Sequence, residues 1–492
     1  MINGIPVCNA VANVAIKNGK VVSYGANFVK PTSVDPPQPI LSSTDVIPKV
    51  VSQIGGKYNN WPIKEEYCIT DSDKAVHAYT LQIQNDSDGA WHLISADTKN
   101  GNIINIIDFV SDASASYRVV PFNVQDPDRG YSVQIDPADI AASPKGWHTT
   151  GTTETSGNNV VSFKGTVTLI VPIVISSKKT KQSSATNNYD YYNKNASPET
   201  SPNLDAARVN TFFVGNKIHD LTYLFGFTEE AYNFQNDNYG KGGAGGDRVQ
   251  ISVQDFTGTN NANFATPGDG QSGVMRMFTW TYTTPNRDGA LENDIVVHEY
   301  GHGVSNRLTG GGTGKCLQTT EAGGMGEGWS DALADIIEIN SATCADFTLG
   351  SFVTNRTGGI RTYPYSTNKT TNPLMYSSLA TREEVHAIGE CWAVIYHEII
   401  CALLQKYGYT QDGFDTQGTG GNIVIMHLFI DAMKLQPCNP TFLTARDAII
   451  QADDNRYGGA NKCLLWQAFA KRGLGTGATT EKFDNTQVPP GC

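Results

Sequence analysis

Hydrophobic and polar residues alternate in short runs over the first quarter of the chain. Examples are Val11-Ala12-Asn13-Val14-Ala15-Ile16 before the turn pair Asn18-Gly19, and later Trp91-His92-Leu93-Ile94. A period of two punctuated by turn residues predicts strands, and residues 1 to about 112 read as a small α+β unit. From Tyr117 to about Ile175 the same signal continues, broken by Asp126-Pro127-Asp128, by Ser143-Pro144-Lys145-Gly146 and by a Thr/Gly/Ser-rich stretch at 149–159. The most apolar stretch, 167–175, is short and rich in β-branched residues, and reads as a strand broken at Pro172. Beyond the polar stretch 176–202, apolar positions fall at helical spacing over 204–225, with Val209, Phe212, Phe213, Ile218, Leu221 and Leu224 on the repeat. Further helices are expected at 294–305, 326–340, 383–405, 423–435, 443–452 and 462–472, most of them ended by Gly, Pro or Asn clusters. Strands followed by helices predict α+β lobes.

Composition narrows the function classes. The 492 residues exceed one ordinary domain, and 39% hydrophobic with 17% charged residues is a folded composition. The surface must then rely on Ser, Thr, Asn and Gly, a coat common on secreted proteins. Sequons at Asn85, Asn195, Asn355 and Asn368 suit a glycoprotein. A net charge of −12 and the lack of any basic cluster beyond Lys178, Lys179 and Lys181 exclude a non-specific nucleic-acid binder. No run of about 18 apolar residues suggests a membrane span. The first 14 residues have neither a basic segment nor an uninterrupted apolar one, so a secreted protein would carry its signal peptide upstream of this sequence. Nine cysteines without a CxxC pair point to disulfides and to at least one unpaired thiol, with Cys391 in the 383–405 helix as a buried candidate.

The chemistry concentrates at His298-Glu299-Tyr300-Gly301-His302, an HExxH motif behind the apolar run Ile295-Val296-Val297. Residues i and i+4 share a helix face, so both imidazoles can approach one Zn²⁺ while Glu299 acts as general base on a water. Catalytic zinc takes a third protein ligand and keeps an open position. Downstream, Glu327 and Asp331 again stand at i and i+4. One carboxylate can bind the metal while the other accepts the far ring N–H of a liganding histidine. His397-Glu398 looks similar, but Cys401 occupies its i+4 position, and it reads as an ordinary helical pair.

The run from His298 through Gly311, together with Glu321-Ala322-Gly323-Gly324-Met325-Gly326-Glu327-Gly328-Trp329, resembles the fungalysin family of secreted metalloendopeptidases, and the similarity extends from about residue 115 to Cys492. It implies a two-lobed thermolysin-like fold, a β-rich lobe at 113–290 and a helical lobe at 291–492, preceded by a propeptide remnant at 1–112. His298, His302 and Glu327 match the zinc ligands and Glu299 the base, which leaves Asp331, from its spacing, as the acid that accepts the far ring N–H of a liganding histidine. His386, in Val385-His386-Ala387, resembles the second catalytic histidine that binds the oxyanion. Arg361 resembles the arginine that holds the substrate carbonyl, and Asn261 and Ala262 belong to the edge segment that pairs with substrate backbone. Ile295 and Ile360 would line an apolar pocket for the residue after the cut bond. Two departures stand out. No tyrosine lies within 304–326 to stabilise the oxyanion, which leaves His386, Arg361 or a tyrosine such as Tyr363 or Tyr365. Thr381 replaces the aspartate expected before the second histidine, with Glu383 or Glu384 as substitutes.

The implied partners are protein or peptide substrates and the chain's own propeptide as inhibitor, a zymogen arrangement with exposed cleavage between Val110 and Ser116. Neither a nucleic acid nor a membrane is expected. An aminopeptidase would need an acidic set for the free amine, and a structural zinc site would close with four protein ligands; neither pattern is present. Ca²⁺ is possible at acids such as Asp126, Asp128 and Asp136, but no EF-hand spacing supports it.

Overall fold

The computed structural model describes residues 1–492 apart from 11, 18–19, 27, 71, 86–90, 109–114, 150–151, 169–173, 185–186, 193–196 and 199. The chain divides into two compact units, Met1–Asp112 and Ala113–Cys492.

In the first unit, the long strand Lys74–Gln84 is the centre of a sheet. Trp91–Asp97 and then Ile103–Asp108 follow on one side, and Ser33–Val34, Lys57–Tyr58 and Lys64–Ile69 also pair with it. A helix, α1 (Ser43–Ile54), packs Val46 and Val50 against Leu81, Ile83 and Ile94. The sequence reading expected an α+β unit but gave no position for its helix, which contains Pro48. Its start signal was nonetheless present: Ser42 caps the backbone N–H of Asp45. Cys8–Cys68 closes the unit. The expected N-terminal hairpin pairs Ala12–Lys17 with Lys20–Ala26, and its Asn18-Gly19 turn lies outside the described residues.

The second unit opens with strands. Five form one sheet in the order Val174–Lys178, Val160–Thr168, Val249–Ser252, Val274–Met277, Ala262–Ala265, which leaves Ala262–Ala265 on an edge. The single broken strand expected at 167–175 is instead the junction of two antiparallel strands, with Thr168 opposite Val174. The residues around Pro172 that join them lie outside the described set. Behind the sheet runs α2 (Ser201–Leu224), then α3 (Asn293–Leu308), α4 (Thr320–Glu338), the short α5 (Ser351–Thr354), α6 (Val385–Tyr407), α7 (Gly421–Leu435), α8 (Phe442–Tyr457) and α9 (Lys462–Lys471). One apolar core runs through the β-rich and the helical parts, from Phe212 and Ile251 to Val296, Trp329, Trp392 and Phe429. The 23-residue α6 is apolar enough to cross a membrane, a stretch the search for apolar runs passed over. Most of it is buried in this core.

Helix α4 starts six residues before the expected 326, and its glycines are contact points with α6. A Cβ on Gly324 would lie 2.5 Å from Ile388 Cβ, and one on Gly389 would lie 2.6 Å from Glu327 Cβ and 2.9 Å from Gly328 N. Side chains there would force α4 and α6 apart.

Disulfides join Cys316–Cys438, Cys344–Cys401 and Cys463–Cys492 in this unit. Cys391 is the buried free thiol, which burial pushes up to about 12. Asn355 and Asn368 are exposed, Asn85 is half-buried, and Asn195 is outside the described residues.

The helix seam yields a test. Gly389→Ala should lower stability by about 1–3 kcal/mol through overpacking, whereas Gly358→Ala, which meets nothing within 4 Å, should leave the thermal midpoint in place. Equal midpoints for the two variants would refute the close-packed seam.

Candidate metal centre

Helix α3 carries the first two site residues because its opening turn is buried. Ile295, Val296 and Val297 are at most 3% exposed, which fixes the rotation of the helix. His298 and His302, one turn apart, then project on one side with ring centroids 4.8 Å apart and planes at 90°. Glu327 comes from α4. Its Oε2 lies 3.2 Å from His298 Nε2 and 3.6 Å from His302 Nε2, and the three potential ligand atoms all fall within 4.8 Å of one another. Two imidazole nitrogens and one carboxylate oxygen are the donor types that bind zinc with an open position, and tetrahedral ligands about 2 Å from an ion sit a little over 3 Å apart. Glu327 Oε2 is buried and receives no hydrogen bond. The residues present therefore fit a divalent metal.

Asp331, one turn after Glu327, is 1% exposed and organises the back of the site. Its Oδ1 lies 2.6 Å from His298 Nδ1 and accepts from Arg361 Nη2 at 2.8 Å. Its Oδ2 accepts from Arg361 Nε at 2.8 Å and from the Tyr365 hydroxyl. Burial pushes the Asp331 carboxyl up, but the Arg361 guanidinium and the His298 ring outweigh it and hold it well below the usual carboxylate range. An ionised Asp331 aims His298 Nε2 at the centre.

Glu299, beside His298 on α3, is 5% exposed and leaves Oε2 buried without a hydrogen-bond partner. Burial pushes its carboxyl up to about 7, with the His298 charge opposing and the Glu327 charge adding. His386, at the start of α6, brings Nε2 to 3.4 Å from Glu327 Oε2. Of the two glutamates considered for orienting it, Glu384 does so: it caps the Ala387 N–H and holds His386 Nδ1 at 2.5 Å.

The same cleft, of about 490 Å³, is lined by Asn261, Ala262, Ile295, Ile360 and Arg361. The buried Asp331 and the alternatives Tyr363, Tyr365, Glu383 and Glu384 are not among its lining residues. Two expectations narrow. Tyr365 is 1% exposed with its hydroxyl committed to Asp331, which removes it from the oxyanion candidates. Arg361 spends Nε and Nη2 on the same carboxylate. Sequence reasoning missed both contacts, as well as Glu390, which accepts from Thr362 N and Arg382 Nη1 and anchors the strand-like segment after Arg361. These pairs span up to 34 positions and leave no local pattern. His397-Glu398 is a core pair, with His397 on Asp335 and Glu398 on Lys471 and Arg472. Asp126 accepts from the nearby Asp128 N–H, and Asp136 from the Ala115 N–H.

The model of the family described as Fungalysin metallopeptidase (M36) matches residues 116–478. The chain belongs to the fungalysin family. It is 40% identical to an extracellular metalloproteinase MEP of Pyricularia oryzae and 39% identical to one of Aspergillus fumigatus, in each case over 99% of this chain and 83% of the relative. It is 38% identical to extracellular metalloproteinase 9 of Coccidioides posadasii, over all of this chain and 83% of that protein. As a fungalysin, the chain is an extracellular metal-dependent peptide hydrolase with the two-lobed α+β fold described above.

Asp331→Asn in this fungalysin should weaken metal affinity by roughly 10- to 100-fold. It should also cost about 3–5 kcal/mol of stability, because it leaves the buried Arg361 charge unpaired. Metal titration and thermal unfolding read the two effects; wild-type values in both would dismiss Asp331 as the organiser.

Proposed function

We propose that the chain is a zinc endopeptidase in which His298, His302 and Glu327 hold one Zn²⁺ and Glu299 is the general base. The observation that carries the reading is Glu299 itself: a carboxylate enclosed beside the ligand triad, with Oε2 buried and unpartnered. A bound zinc ion would supply Lewis acidity and a water acidified toward about pH 7. Glu299 takes the proton from the attacking water and returns it to the leaving amine. Glu384 fixes the His386 ring so that its other nitrogen donates to the oxygen that gains charge. Asp331 keeps His298 in the tautomer that presents Nε2. The free edge of Ala262–Ala265 suits an extended substrate, and Ile295 and Ile360 form an apolar site for the residue after the cut bond.

In this reading residues 1–112 are an inhibitory propeptide, supported by the division of the chain at 112/113 and by the small polar residues Ser111 to Ser116 at that division.

Glu299→Gln should retain its zinc and lose nearly all turnover of a denatured protein, while Glu327→Ala should lose zinc and activity together. Phenanthroline should abolish wild-type cleavage and added zinc restore it. Bulky apolar residues should dominate after the cut bond. An active Glu299→Gln variant, or a profile dominated by charged residues there, contradicts the corresponding assignment. Incubation of the full chain followed by N-terminal sequencing should place a cut near residue 112 as activity rises; full activity with residues 1–112 uncut would refute the propeptide.

A further inference from the structure

The cleft has two unlike ends. Helix α3 runs along it from Ile295 to Asn306, and its apolar end, with Ile295, Leu349 and Ile360, is the one assigned above to the residue after the cut bond. Toward the far end of α3 lies Asn306, and Gly314, Leu317 and Gln318 line the cleft as well. A peptide paired with the edge strand Ala262–Ala265 leaves every second residue's N–H and C=O facing away from that strand. Those groups need partners on the other wall, where α4 begins.

Most polar side chains of the cleft are already engaged. Asn261 Oδ1 accepts from Ala262 N, Asn263 Oδ1 from Arg276 Nη1, and both Thr266 Oγ1 and Asn306 Nδ2 donate to His302 O. Arg361 is held by Asp331 and His386 by Glu384. Trp280 Nε1 is unpartnered, but its residue is buried and offers a donor alone. Gln318 differs. Its side chain is exposed and forms no hydrogen bond among the described residues, while its backbone is tied down: Gln318 N and Thr319 N both donate to Asn439 Oδ1, Asn439 N donates to Cys316 O, and Cys316–Cys438 bridges the two segments. The approach to it is equally fixed. Gly314 has φ +65°, and a Cβ there would lie 2.8 Å from Thr266 O. A rigid backbone thus presents one free carboxamide to the cleft.

We propose that Gln318 is a positioning residue that binds the substrate backbone on the amino side of the cut bond, its Nε2–H donating to a peptide carbonyl and its Oε1 accepting a peptide N–H. A carboxamide carries one donor face and one acceptor face, which complements the backbone of any residue in an extended peptide. It therefore adds affinity without selecting a side chain. Gln318 precedes α4 and Glu327 lies seven residues into it, about 10 Å along the axis and so roughly three residues of extended peptide. The inference rests on the endopeptidase reading and on the assignment of the apolar end.

The test uses the full chain, incubated until its activity is constant, and two fluorogenic peptides with identical residues after the cut bond. One is capped directly before the residue that precedes the cut; the other continues three residues further. Gln318→Ala should lower kcat/KM on the long peptide by about tenfold, as loss of one or two hydrogen bonds would, and distinctly less on the short one. Gln318→Glu, which keeps the shape and removes the donor, should behave in the same way. N-methylation of the backbone nitrogen three residues before the cut should weaken the long peptide with wild type and narrow the gap to Gln318→Ala. Equal losses on both peptides, or no loss on the long one, would overturn the proposal. Turnover by Glu299→Gln on the short peptide tests the zinc-site reading separately.

Discussion

The ionised carboxylate of Asp331, closed off from solvent, is the point through which the site is held. It accepts from Arg361 twice and from Tyr365, and sits against His298, so one side chain of α4 locks together α3, α4 and the segment from Ile360 to Ser366. A buried charge is costly unless each lone pair finds a donor. Here the donors come from elements far apart in sequence, and the requirement works as a positional constraint: none of the three segments can shift without exposing the carboxylate or the guanidinium.

A second constraint is steric. Glu327 owes its place to the absence of side chains opposite it, at Gly389 and along Gly324 and Gly328. The glycines bring α4 and α6 together, and the same approach carries His386, at the start of α6, toward Glu327. Stability and site geometry are therefore two readings of one interface, in which Trp329 and Trp392 stack edge to face at 5.2 Å.

Much of this was legible in the chain. The i, i+4 spacing of His298 and His302 and of Glu327 and Asp331 is local information, and local spacing survives folding. The same holds for the helical periodicity from Leu204 onward. What escaped falls into two kinds. Residues compatible with more than one structure gave no position: Pro48 sits inside α1, and the glycines in the first turns of α4 supply no apolar repeat to mark its start. The apolar run could not reveal that Val167-Thr168 and Val174-Ile175 belong to two paired strands. Long-range pairs had no signal at all. Nothing near Arg361 or Tyr365 in sequence points to Asp331, and nothing near Gln318 shows that Asn439 and Cys438 fix it in place.

If substrate pairs with the edge strand Ala262–Ala265, as proposed above, that edge also bears on what can be digested. A strand edge accepts a partner only as extended chain, with its own backbone hydrogen bonds given up. A helix or a paired strand of a folded target must open first, and the population of that open form is set by the target's local stability. Turnover of native proteins by a cleft of that kind would follow the unfolding landscape of the victim, so that suitable bonds in loose loops and frayed ends are consumed long before the same bonds in well-packed cores.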